Sequence, residues 1–173
     1  MRTLIFVFLL ICTLTGIHAQ DVNRVIRDET IDKDVLYGLC NVEGLKGEVF
    51  GEAFQSEYQS YEPQSDVLLR LRIIPDIDEL EVIIVFGPWC GDSKREVPRF
   101  VKLAEQIGIQ ESQIKMYATN REKKCGEAII DSLLTELVPT FYVYRGGKFI
   151  GSIVEFPINS LEEDLLAILL KDE

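Results

Sequence analysis

Among the residue types able to do chemistry in this chain, cysteine stands in the most telling place. Cys90 closes the run Glu81-Val-Ile-Ile-Val-Phe86-Gly-Pro-Trp-Cys90. It opens a stretch in which Val97, Phe100, Val101 and Ala104 recur at helical spacing. A thiol at a helix start meets unpaired backbone N–H groups and the roughly +0.5 elementary charge of the helix dipole. Both favour the thiolate, the nucleophilic form in disulfide exchange. The Gly87-Pro88-Trp89 turn is expected to hold the sulfur at the surface, beside a flat aromatic, where a partner disulfide can reach it.

The rest of the composition narrows the chemistry further. With 173 residues, 47% hydrophobic and 27% charged, the chain can bury one domain's core, which excludes disorder and collagen-like structure. Its formal charge of −11 repels phosphate backbones and anionic lipid heads, so nucleic acid is not an expected partner. Residues 1–19 read as a secretory signal peptide, with Arg2 in a short basic start, an apolar stretch from Leu4 to Leu14, and Ala19 at the cut. That stretch falls short of the ~20 residues a membrane-spanning helix needs, so no membrane insertion is expected after cleavage. Cys12 as a lipidation site is disfavoured by Ile11, where a small residue would be required.

Cleavage would remove His18, the only histidine, and leave Cys40, Cys90 and Cys125. Three cysteines are an odd number for a compartment where disulfides persist, so at least one thiol stays unpaired within a monomer. Without imidazole or a Cys-x-x-Cys pair, no metal site is expected. No cofactor is expected either. The chain reads as exported, to the periplasm first and the extracellular medium second.

The positioning elements divide near residue 80. Residues 20–80 are polar and acidic, and Phe50, Phe54, Tyr58 and Tyr61 fall on one helical face, read as core packing. A second helix is expected after Pro63 through Val67, Leu68, Leu71 and Ile74, so this region is read as a mainly helical N-terminal extension, a cap or flap. Residues 81–173 read β-α-β-α-β-β-α. The strands are Glu81–Phe86, Ile114–Ala118 and a hairpin turning at Gly146-Gly147. The helices run from about Cys90 to Gln106, from Gly126 to Leu137, and after the capping box Ser160-Leu-Glu-Glu163.

Three features in register with this order, Trp89-Cys90-Gly91, Pro98 and Val138-Pro139-Thr140, resemble the thioredoxin family. The likeness covers about Glu81 to Leu170. It is similar to exported bacterial thioredoxin-like proteins that carry Trp-Cys-Gly-Asp-Ser before Lys-Arg-Glu-Val-Pro. The resemblance implies an α/β thioredoxin fold, a central mixed sheet flanked by helices. It makes Cys90 the nucleophile with Ser93 as its catalytic neighbour, and gives Trp89, Gly91, Val138 and Pro139 to substrate binding. Pro139 is expected to be cis, with the backbone before it beside Cys90 and able to pair with an extended peptide.

The sequence also departs from the family pattern. Ser93 stands where dithiol members carry a resolving cysteine; it can hydrogen-bond to a thiolate but cannot displace a sulfur. Ile84 stands where many thioredoxins place a buried carboxylate, and Asp92 adds negative charge near the sulfur. Cys125, just after the second strand, is a candidate resolving thiol. A bridge to Cys40 and a plain unpaired thiol are its other readings.

Two functions follow from the resemblance. One is a thiol–disulfide oxidoreductase or isomerase of the cell envelope acting on exported proteins with thiols or disulfides, served by an upstream redox protein. The alternative is a non-catalytic module that binds extended polypeptides. A reader of glutathione fits less well, because the acidic chain offers little to hold an anionic thiol.

Overall fold

The computed structural model describes residues 21–171. The expected signal peptide, with Cys12 and His18, lies outside the described residues. The chain opens with three short strands, β1 (Val25–Asp28), β2 (Lys33–Leu36) and β3 (Gly38–Cys40), followed by α1 (Val42–Lys46), α2 (Gly51–Ser60) and α3 (Ser65–Leu71). The mainly helical extension thus also carries three short strands that its sequence does not signal. β1 and β2 form an antiparallel hairpin laced by Arg27 to Asp34 at 3.2 Å, and β3 joins the main sheet. Strands of three or four residues are too short to show the alternation that marks a strand in sequence.

The central strand is β4 (Leu80–Phe86), and α4 (Gly91–Ile107) follows it. The chain returns as β5 (Ile114–Ala118), makes a single helical turn, α5 (Ala128–Asp131), and continues through the hairpin β6 (Thr140–Arg145) and β7 (Lys148–Val154) into α6 (Leu161–Lys171). The sheet order is β3-β5-β4-β6-β7, with β4 and β5 parallel and the other neighbours antiparallel. Gly146 and Gly147 turn the hairpin at φ 56° and 78°, backbone angles that suit glycine. Ser160 Oγ accepts the Glu163 N–H at 3.2 Å at the start of α6.

The two faces of the sheet are covered unequally. Val82, Ile84, Phe86, Met116, Phe141 and Val143 meet a helical layer through Phe54, Leu71, Phe100 and Leu165 in one large core. Phe100 and Phe141 lie 4.8 Å apart between ring centroids. The other face carries a smaller cluster, Val85, Tyr117, Cys125, Ile130 and Val138.

The second predicted helix is corrected here. α5 has four residues rather than the span from Gly126 to Leu137, and Ile129 and Leu134 are exposed. Leu134 sits at φ 50°, outside the helical region, and Thr135 Oγ1 lies 2.9 Å from the Tyr142 hydroxyl, drawing the chain onto the sheet.

The lead region is tied into the same core. Phe50, Phe54 and Leu71 are buried within it, as the aromatic spacing anticipates for the two phenylalanines. A polar latch joins its far end to α6: Glu162, 2% exposed, accepts the Gln64 N–H at 2.9 Å and the Tyr61 hydroxyl. Burial pushes the Glu162 carboxyl up, but these hydrogen bonds outweigh it and hold its pKa below the ordinary value. A depressed carboxylate contributes stability above its unfolded pKa and loses it as pH falls through the folded value. Glu162→Ala is therefore expected to cost about 1–3 kcal/mol at pH 7 in urea unfolding. The gap to the parent protein should close as pH falls below about 4.

Candidate functional site

The site is set by strand register. Phe86 pairs with Ala118 in the parallel β4–β5 ladder, and Val85 pairs with Thr140 across the antiparallel β4–β6 ladder. The carboxyl ends of β4 and β5 and the start of β6 thus share one edge, the usual place for sites in open α/β sheets. The Thr119 N–H extends this register by donating to the Phe86 carbonyl at 2.8 Å.

Cys90 is the N-cap of α4. Its N–H reaches the Gly87 carbonyl at 2.8 Å, and its own carbonyl accepts the Lys94 N–H at 3.1 Å. The sulfur is half-buried, and its S–H donates to the Val138 carbonyl at 3.3 Å. The Val138–Pro139 peptide bond is cis. Gly87 makes this closeness possible, because a Cβ there would lie 2.8 Å from Trp89 Cε2 and 3.1 Å from Val138 Cγ2. Gly91 is exposed and a Cβ on it would meet nothing within 4 Å, so the approach above the helix start is open.

The neighbours of Cys90 have separate tasks. Ser93 is fully buried, and its Oγ accepts the Gly87 N–H at 3.0 Å. Side chains in the first helical turn lean back toward the N-terminus, so Ser93 reaches under the turn, where it holds the loop that carries Cys90. Asp92 pairs with Arg95 at 2.7 Å, which balances the negative charge the sequence places near the sulfur. Ile84 points into the helical-layer core and is fully buried.

Trp89 is half-buried, and its indole N–H donates to the Thr119 carbonyl at 3.1 Å. The Arg121 guanidinium lies over its ring, 5.1 Å from the centroid, and pairs with Asp28 of β1 at 3.1 Å. Burial raises the Asp28 carboxyl, but the Thr30 N–H at 2.9 Å and the Arg121 charge outweigh it, leaving the pKa below the ordinary value. Arg121 and Asp28 are missing from the sequence reading. They stand 93 residues apart in the chain, and a lone Arg in a polar loop carries no signal of an aromatic partner.

Among the described residues all three cysteines are free thiols. The structure separates Cys40 from Cys125: Cys40 packs in the core under the helical layer, whereas Cys125 belongs to the cluster of the opposite face. Cys90 and Trp89 pack against that same smaller cluster, so Cys125 shares an apolar neighbourhood with the half-buried thiol. Burial pushes Cys40 up to about 12. It pushes Cys125, 3% exposed, up to about 11, with the Asp131 carboxylate adding to the effect against a backbone hydrogen bond from Glu127. Among the described residues no group of three or more His, Cys, Asp or Glu side chains is placed to hold a metal ion, and no helix is long and apolar enough to cross a membrane.

No family model matches the chain. Over 87 residues, 50% of its length, it is 29% identical to a thioredoxin-like protein of Acanthamoeba polyphaga mimivirus, 61% of which it spans. Over 134 residues, 78% of its length, it is 25% identical to protein disulfide-isomerase of Saccharomyces cerevisiae, of which it spans 24%. The chain thus spans less than two thirds of these curated relatives. A solved protein of unknown function from Pseudomonas aeruginosa superposes with a TM-score of 0.51 at 16% identity, over 72% of this chain and 84% of that one. The five-stranded mixed sheet with its flanking helices is an α/β thioredoxin fold, and over half its length the chain is similar to a thioredoxin-like protein.

At pH 8, thiols with pKa values near 11 and 12 are ionised in roughly one molecule in a thousand or fewer. Iodoacetamide is therefore expected to modify Cys90 in the folded protein at least about tenfold faster than Cys40 or Cys125. Mass spectrometry of peptides should find the last two modified only after denaturant is added.

Proposed function

We propose that this chain exchanges disulfides in exported proteins of the cell envelope, with Cys90 as its single attacking thiol. The observation that carries the reading is the placement of that thiol. Cys90 caps a 17-residue helix at the sheet edge with its sulfur 3.3 Å from the Val138 carbonyl, while the other two thiols are buried. The pattern of residues 1–19 supports export, and the name of the yeast relative, protein disulfide-isomerase, supports the reaction class.

In the reaction the Cys90 thiolate attacks one sulfur of a substrate disulfide. A Cys90–substrate S–S bond forms as the substrate S–S bond breaks, and the electron pair leaves with the second substrate sulfur, which takes up a proton according to pH. Loss of the Cys90 proton also removes the S–H donor from the Val138 carbonyl. That acceptor is then available to a backbone N–H of an extended substrate, the pairing by which a strand adds to an edge.

Release requires a second thiolate. Ser93 supplies none, and Cys125 is buried. A thiolate elsewhere in the same substrate can attack the mixed disulfide, restoring Cys90 and leaving a rearranged substrate disulfide, with no net oxidant or reductant consumed. A dithiol of an upstream redox protein would instead carry the cycle to net reduction: its first thiolate attacks the Cys90 sulfur and frees the bound substrate sulfur as a thiol, and its second thiolate then displaces Cys90, leaving the redox protein as the disulfide.

Cys90→Ala is expected to lower the rate of disulfide rearrangement in a scrambled substrate protein by about 100-fold or more. The same variant should fail to form the mixed disulfides that the parent protein yields when trapped by acid and resolved without reductant. An unchanged rate would remove Cys90 from the chemistry. An unchanged set of captured partners without rearrangement would make the chain a module that binds extended polypeptides.

A further inference from the structure

The cleft of about 470 Å³ beside Trp89 is walled on one side by the β1–β2 hairpin, through Ile26, Asp28 and Val35, and on the other by Asn120 and Arg121 of the loop after β5. Trp89 forms part of its lining, so the residue next to the reactive thiol faces a groove whose outer wall comes from the lead region. Two contacts fix the indole there, and a third backs one of them. Its N–H is held by the Thr119 carbonyl at 3.1 Å, one face lies under the Arg121 guanidinium at 5.1 Å, and Arg121 is itself held by Asp28, whose side chain is only 9% exposed.

We propose that Arg121, clamped by Asp28, is a positioning residue that sets the Trp89 ring beside Cys90 and makes the β1–β2 hairpin the outer wall of the groove that receives an extended disulfide-bearing polypeptide. This rests on the exchange function proposed above. A guanidinium over an indole face is attracted by the ring quadrupole, and its planar fork keeps a carboxylate partner in fixed geometry. The ion pair therefore transmits the position of β1 to the aromatic surface that a substrate would touch. Next to Cys90, the Val138–Pro139 edge offers backbone, its Val138 carbonyl 3.3 Å from the sulfur. The substrate chain is held between the two.

Trp89 is the single tryptophan of the chain, so its fluorescence reports the contact directly, whatever the activity. Arg121→Met removes the guanidinium and keeps an apolar stem. Asp28→Asn keeps the shape and removes the clamp. Arg121→Lys keeps the cation. With folding verified by circular dichroism, acrylamide quenching of Trp89 should rise about twofold or more in Arg121→Met and Asp28→Asn. In both, KM for a disulfide-bonded protein substrate should rise about two- to fivefold, with the loss in kcat/KM carried by KM. Arg121→Lys should recover most of both effects.

Unchanged quenching in both Arg121→Met and Asp28→Asn would overturn the proposal. So would a loss carried by kcat alone, which would mark general damage around Cys90. If the parent protein shows no exchange activity, the functional reading fails separately. The dissociation constant for a synthetic extended peptide carrying one cystine then takes the place of KM. A constant equal in parent and Arg121→Met proteins would overturn the proposal on its own.

Discussion

The parallel register of β4 and β5, with Phe86 opposite Ala118, is the constraint on which the site depends. It brings two carboxyl strand ends level, and the antiparallel pairing of Val85 with Thr140 brings the Pro139 segment to the same line. A slip of one residue in either ladder would move Cys90 away from the Val138 carbonyl and turn the alternating side chains of β4 to the wrong faces. The register is secured by the unequal burial of the two faces, since Val82, Ile84 and Phe86 must all face the helical layer. The geometry of a single hydrogen bond at 3.3 Å thus rests on the packing of the whole core.

The loop that carries Cys90 is shaped by what cannot be there. Gly87 leaves room for Trp89 and Val138 to close over the turn, and buried Ser93 satisfies the Gly87 N–H from below. Gly87 and Ser93 therefore have packing and hydrogen-bonding reasons that do not involve the thiol. A departure that reads in sequence as a lost resolving group has a structural task, bonding a buried N–H that would otherwise go unpaired at a cost of about 1–3 kcal/mol.

How much of this was legible in the sequence follows from the range of each interaction. The continuous run in β4 and the Gly146-Gly147 turn are local, and both identify their elements. The helical spacing of Phe50 and Phe54 is local too, and it correctly marks core. The motif around Cys90 and the Val138-Pro139 pair point to one edge because the strand order between them is readable. Three things were out of reach. β1, β2 and β3 are too short to show a period. α5 is cut to one turn by Leu134 and by the Thr135–Tyr142 contact, which no local pattern announces. The Asp28–Arg121–Trp89 chain joins residues far apart in sequence through a hairpin that was itself unread.

The burial of Cys40 and Cys125 on opposite sides of one sheet has a consequence for the life of the chain before it is folded. A chain that met oxidising conditions before folding would carry Cys40, Cys90 and Cys125 in the open, and any of them could be captured by another. Once the sheet forms, two of them are withdrawn to opposite faces of the sheet and Cys90 stays half-buried at its edge. Folding therefore acts as the safeguard of the redox state, and a transient opening of the domain would place its own reactive sulfur within reach of cysteines that its folded form keeps apart.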